Sequence, residues 1–233
     1  MKVRRRRILP ATRLPAYGSL LAANFALLMA TPFFTSFRSG LLVERLLSGV
    51  MLLAAFVATG LSRANAWKLL VVMVPFMLLG LEGEGLSQDA AIAGWTALLI
   101  WAEFRILRQF LTEVEVGWDT VAAAAGGFIL IAVIWANFYM LLERWRPGSF
   151  TIDPAFRTRG FQDVRAALQY FSFVTLTTVG YGEIHPADVG AGGVAVAEAL
   201  IGQLYLAIMI SRMVGLHLAG ARETTSRRGG EGS

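Results

Sequence analysis

The chain has 233 residues, of which 56% are hydrophobic and only 16% charged, with a formal net charge of +5. A soluble domain carries about a quarter charged residues, so the composition excludes an ordinary soluble protein and points to the lipid bilayer as partner. Cysteine is absent and the two histidines, His185 and His217, stand far apart, which excludes disulfide, thiol and zinc chemistry.

In chain order, residues 1–15 form a basic segment, with Lys2 and Arg4 to Arg7 ahead of the first apolar run. Such a start can open a signal peptide, but the apolar run continues through Phe34 without a small-x-small cleavage site, so the segment is read as uncleaved. Six segments are expected to cross a membrane: 16–34, 41–61, 66–81, 90–107, 120–142 and 190–216. The yardstick is about 20 helical residues, at about 1.5 Å each, for a hydrocarbon core of about 30 Å. The 66–81 segment is short and interrupted by Pro75, which neighbouring helices can accommodate inside a membrane.

The first four segments make one unit, a four-helix bundle within 16–112, and residues 113–218 make a second. The second unit opens with a helix at 120–142, whose small-residue run Ala122 to Gly127 offers a face for close helix packing. An apolar stretch follows at 164–174; at about eleven residues it is too short to span and is expected to be re-entrant. The helix at 190–216 closes the unit, and the Gly/Ser/Arg-rich residues 219–233 are expected to be a disordered cytoplasmic tail. Trp67, Trp101, Trp118 and Trp145 fall near predicted helix ends, as interfacial anchors do. With the amino terminus inside and six crossings, 14 of the 21 Lys and Arg residues fall on the cytoplasmic side. That bias favours both termini in the cytoplasm of a multi-pass plasma-membrane protein, although the Arg-rich loop 143–165 runs against it. The basic residues cap apolar segments, so no nucleic acid is expected as a partner.

After the re-entrant stretch comes Thr175–Glu183, TLTTVGYGE. Two glycines around a tyrosine weaken both helix and strand, so the segment is expected to use its backbone. Gly180 and Gly182 permit positive φ, which can turn successive carbonyl oxygens toward one axis, and the Thr178 hydroxyl can add a further oxygen. Val179 and Tyr181 would point away and brace the strand. Oxygen-only ligation suits a hard alkali cation. The preceding helix, 164–177, would aim its negative end at the waiting ion. One strand cannot enclose an ion, so rotational symmetry, and hence a homotetramer, is expected.

Thr178-Val179-Gly180-Tyr181-Gly182 resembles the selectivity filter of the potassium channel family, in which rings of backbone carbonyls replace the hydration shell of the ion. The wider TTVGYGEIHP, Thr177 to Pro186, looks like bacterial members with a single pore loop. The resemblance covers roughly the last 100 residues. It implies an all-α, tetrameric membrane protein with an outer helix (120–142), a re-entrant pore helix (164–177), a filter (178–182) and an inner helix (190–216). Thr178, Val179, Gly180 and Tyr181 would then ligate K+ as permeant ion, with no cofactor and no catalysis. Thr177 and Gly182 would support the filter, Glu183 would form an acidic ring at the outer mouth or brace the filter through an aromatic neighbour, and Gly202 would be an inner-helix hinge.

Voltage-gated relatives carry Arg at every third position of the fourth helix. Here the fourth segment, AAIAGWTALLIWAEFRILRQF, offers only Arg105 and Arg108 near its cytoplasmic end. Moving one charge is worth about 2.3 kcal/mol per 100 mV, so weak or absent voltage gating is expected. Glu198 is an acid within an apolar helix, read either as a gating group or as a structural carboxyl reaching a pore-helix hydroxyl such as Ser172 or Thr175. His185 is more simply a solvated loop residue, and Tyr170 and Phe171 read as an aromatic cuff. The rival functions are a potassium transporter subunit, a nonselective cation channel and a membrane enzyme, the last unsupported by any acid/base or nucleophile cluster. The sequence is silent on accessory subunits.

Overall fold

The structure is a computed structural model that describes residues 18–26, 40–58, 71, 74–75, 85–112, 117–154 and 161–230. A helical stretch at 18–26 precedes five named helices: α1 (Gly40–Ala58), α2 (Leu86–Thr112), α3 (Trp118–Trp145), α4 (Phe161–Leu176) and α5 (Val189–Gly230). Two short strands, β1 (Phe150–Ile152) and β2 (Ile184–Pro186), pair antiparallel with Thr151 opposite His185. Neither strand is foreseen from the sequence, because three-residue strands leave no period to detect.

Each helix boundary has a local cause. Gly85, at φ +59, starts α2, and the Asp89 amide reaches back to its carbonyl at 3.2 Å. The Thr120 hydroxyl accepts from the Gly117 amide at 3.3 Å to open α3. α3 stops ahead of Pro147, whose ring and missing N–H end a helix. The buried residues of α2 (Ile92, Trp95, Leu99, Ala102, Ile106 and Phe110 among them) recur every three or four positions, one face of an α-helix.

Among the described residues three helices are long and apolar enough to cross a membrane, Leu86–Thr112, Thr120–Trp145 and Val189–Leu218. They correspond to the segments expected at 90–107, 120–142 and 190–216, each a few residues longer. Most of the segment expected at 66–81, the end of that at 16–34 and the segment at 1–15 lie outside the described residues. The helix α5 continues to Gly230, so 219–230 is helical where a disordered tail is expected; Ala, Arg and Glu sustain a helix and no proline interrupts them.

α3 is the common wall of the molecule. On one side, Ala123, Leu130, Val133 and Ile134 pack with Leu20, with Met51, Leu52 and Phe56 of α1, and with Trp95, Leu99 and Ile106 of α2. Toward its carboxyl end, Tyr139 and Met140 join Phe150, Leu168, Phe171, Ile184 and Ala195. Near its middle, Ile131 and Ala132 meet Leu176, Tyr205, Met209 and Phe110. The glycine pair of α3 makes these approaches possible. A Cβ at Gly126 would stand 3.2 Å from Leu20 Cδ2, and one at Gly127 would stand 2.6 Å from the Tyr205 hydroxyl and 2.9 Å from Glu103 Oε1.

One end of the α2–α3 pair is clasped by charge. Arg144 pairs with Asp89, donates to Gln88 Oε1 at 2.8 Å and to the Gly85 carbonyl at 3.1 Å, while Trp145 Nε1 donates to Asp89 Oδ2 at 3.1 Å. At the other end Arg212 of α5 donates to the Phe110 carbonyl at 3.1 Å and lies over the Phe110 ring. The first unit is thus tied to the second at both ends of α2.

Candidate functional site

α4 has 16 residues, about 24 Å of helix, and falls short of a bilayer core of about 30 Å. It ends instead against the midpoints of its neighbours. Ser172 Oγ donates to the carbonyl of Ala132, halfway along α3, at 2.7 Å. Leu176 packs onto Gly202, near the middle of the apolar part of α5, Val189–Leu218: a Cβ there would lie 2.7 Å from the Leu176 carbonyl oxygen and 2.8 Å from Leu176 Cδ1. Gly202, expected as a hinge, is therefore first of all the place where α5 admits the end of α4.

The chain leaves α4 through a tight turn. Thr177 N donates to Phe173 O at 3.0 Å, Thr178 N to Thr175 O at 3.0 Å and Val179 N to Val174 O at 2.9 Å. The hydroxyls of Thr177 and Thr178 turn inward to carbonyls of Phe173 and Thr177 at 2.6 and 2.7 Å. Beyond the turn φ is positive at every second residue: Thr178 (+59), Gly180 (+60) and Gly182 (+97). Val179 and Tyr181 are not in that region. Alternating handedness rotates successive peptide planes to the same side, and it requires glycine or a strained residue at each left-handed position. Thr178 is the only non-glycine with positive φ among the described residues. Residues 177–183 are all exposed in the single chain, and a Cβ at Gly180 or Gly182 would meet nothing within 4 Å. Val179 and Tyr181, expected as braces, are 51% and 69% exposed in the single chain.

The carboxyl end of this strand is held by its own chain. Tyr170 donates to Glu183 Oε2 at 3.5 Å, the aromatic contact expected as one of two roles for Glu183. The Glu183 carbonyl accepts from Asp153 N at 3.2 Å, and His185 sits in β2. Glu143 at the end of α3 accepts from the amides of Gly148 (3.0 Å) and Phe150 (3.1 Å), which fixes the turn leading into β1. Tyr139, Phe150 and Phe171 form a ring triad with centroids 5.1 to 5.4 Å apart. Phe171 is thus core packing, while its neighbour Tyr170 reaches Glu183.

At the start of α5, Asp188 Oδ1 accepts from Ala191 N at 2.9 Å. That amide, with further help from Gly190, Arg146 and Ser149, holds the Asp188 carboxyl below the ordinary carboxylate range despite some desolvation. A lowered carboxyl value adds stability at any pH above the unfolded value and loses it as pH falls through the folded one. Asp188→Ala is therefore expected to lower the Tm at neutral pH, with the difference from the parent fading in acid; an equal Tm difference at every pH would contradict the cap.

Glu198 is fully enclosed and hydrogen-bonds with Ser172 of α4, as one of its two sequence readings anticipates, and with Tyr139 of α3, which neither anticipates. Glu103 is a further buried acid that sequence patterning passes over. This carboxyl of α2 faces Gly127 and has no hydrogen-bond partner among the described residues. The signal resembles that of Glu198, an acid in an apolar helix, but Arg105 and Arg108 follow within five residues and make Glu103 look like one of several helix-end charges. Arg105 lies 5.3 Å over the Trp101 ring, and Arg108 is exposed. Among the described residues no group of three or more His, Asp or Glu side chains could hold a metal ion; the donors the strand offers are backbone and hydroxyl oxygens.

Residues 159–216, which take in α4, the strand and most of α5, match the family described as ion channel. The chain is similar to Protein LctB of Bacillus caldotenax, 31% identical over 96 residues, covering 41% of this chain and 71% of that protein. It is also similar to Protein LctB of Geobacillus stearothermophilus, 33% identical over 79 residues, covering 34% of this chain and 58% of that one.

Proposed function

We propose, on the premise that the chain belongs to the ion-channel family, that it conducts K+ passively through a filter built from four copies of residues 178–182. The match supports a membrane transport protein over an enzyme; the choice of ion and the fourfold assembly are the proposal. One observation carries it, the positive φ at Thr178, Gly180 and Gly182. A strand that changes hand at every residue can present consecutive carbonyl oxygens to one side, which is the ligand set a dehydrated alkali cation needs. Placement supports the same reading. The strand begins where α4 stops, halfway along α3 and along the apolar Val189–Leu218 part of α5, so the carbonyl end of α4 lies beside the path at mid-depth. The exposure of Val179 and Tyr181, the latter 69%, suits packing against neighbouring copies.

In this reading six helices cross the plasma membrane, both termini are cytoplasmic, and the lipid bilayer and three further copies of the chain are the partners. With Arg105 stacked on Trp101 and Arg108 at the surface, α2 moves little charge and voltage dependence is weak. The test is flux into liposomes containing the purified protein, under K+ or Na+ gradients, with and without barium. Barium-sensitive K+ flux well above Na+ flux is expected. Equal fluxes would mark a nonselective cation channel, and uptake driven by a proton or Na+ gradient would mark a transporter subunit; either result overturns the proposal.

A further inference from the structure

Ser172 Oγ touches two groups, the Ala132 carbonyl oxygen at 2.7 Å and Glu198 Oε1. A serine hydroxyl has one proton to give. The Ala132 carbonyl has none, so that contact takes the serine proton. The contact with Glu198 then needs its proton from the carboxyl. The second carboxyl oxygen, Oε2, accepts from the Tyr139 hydroxyl. With a protonated Glu198 every donor in the group has an acceptor and both carboxyl oxygens are engaged. With an ionised Glu198, two acceptors compete for one serine proton. A full charge would also sit within an apolar helix, facing two hydroxyls and, among the described residues, no paired cation.

We propose that Glu198 is a neutral positioning residue, whose carboxyl proton completes the chain Glu198 to Ser172 to Ala132 and so clips α4 between α3 and α5. The clip involves all three helices of the second unit: Tyr139 and Ala132 on α3, Ser172 on α4, Glu198 on α5. Ser172 lies one helical turn before Leu176, and Leu176 rests on Gly202, one turn after Glu198. Clip and glycine contact therefore fix the end of α4 at two successive levels, and Thr177 and Thr178 follow immediately. A shift of α4 at Ser172 carries directly into the strand. The effect on ion preference rests on the potassium reading above; the proton does not.

Glu198→Gln and Glu198→Leu separate the roles. Glutamine carries a donor N–H2 and an acceptor oxygen where the protonated acid has them; leucine fills similar space and offers neither. In the infrared difference spectrum of parent minus Glu198→Gln, the carbonyl stretch of a protonated carboxyl is expected. A pair of ionised-carboxylate bands in its place would overturn the proposal. In liposome flux, Glu198→Gln is expected to keep the K+ to Na+ ratio within about twofold, whereas Glu198→Leu lowers it about tenfold by leaving buried hydroxyls unpaired. Should the leucine variant not assemble, Ser172→Ala removes the middle of the chain and gives a loss of the same kind. A glutamine variant as damaged as leucine would overturn the clip. A parent protein without K+ preference would overturn the potassium reading, and the infrared band would still decide the proton.

Discussion

Gly180→Ala is expected to abolish ion flux while leaving the helices folded. At φ +60 an L-residue places its Cβ against the following carbonyl at a cost of about 1–2 kcal/mol, and the cheapest relief is a peptide flip that turns one carbonyl out of line. Space is not the obstacle, since a Cβ there meets nothing within 4 Å. Backbone handedness alone is changed. The matched control is Gly85→Ala, at φ +59 with equally open surroundings but at the start of α2. It carries the same strain and should retain flux. Gly182→Ala (φ +97) and its counterpart Gly148→Ala (φ +88) repeat the comparison at a steeper angle. Rubidium uptake into liposomes, with Tm as the check on folding, reads all four. Parent-like uptake by Gly180→Ala would place the ion path elsewhere.

Gly202→Ala is expected to damage both stability and ion discrimination. The added methyl lands 2.7 Å from a backbone oxygen, that of Leu176, which cannot swing aside as a side chain does. Overpacking of this kind costs about 1–3 kcal/mol, here in each copy of the chain. Relief requires the end of α4 to move, and the strand with it. The hinge role that resemblance suggests for Gly202 leads to a different outcome. A stiffened hinge would change how often the path opens and leave the K+ to Na+ ratio intact. Single-channel recording distinguishes the two: altered selectivity together with a lowered Tm supports the contact with Leu176, and altered open probability at unchanged selectivity and Tm supports the hinge alone.

The sequence was most legible where one physical rule dominates. Long apolar runs marked α2 and α3 to within about five residues at either end and α5 at its start, though not its continuation to Gly230, and a stretch too short to span gave α4. The Gly-Tyr-Gly segment announced a backbone-driven strand because glycine there gains nothing for a helix or sheet. Thr178 was harder to foresee in its left-handed conformation, since threonine ordinarily avoids positive φ. What eluded reading depends on contacts between distant segments. Tyr139 looks like any aromatic in an apolar helix until it meets Glu198, 59 positions away. Glu143, Asp89 and Arg144 look like helix-end charges, yet they fix a turn and clasp two helices. Gly202 reads as a hinge from resemblance alone; its close approach to the Leu176 oxygen depends on a residue 26 positions away and is not visible in the sequence.

The most direct measurement is the reversal potential of the purified protein in a planar bilayer with K+ on one side and Na+ on the other. If consecutive carbonyls of residues 178–182 replace the water around K+, current reverses strongly toward the potassium equilibrium potential. Reversal at zero under the same gradients would contradict potassium selection by this strand.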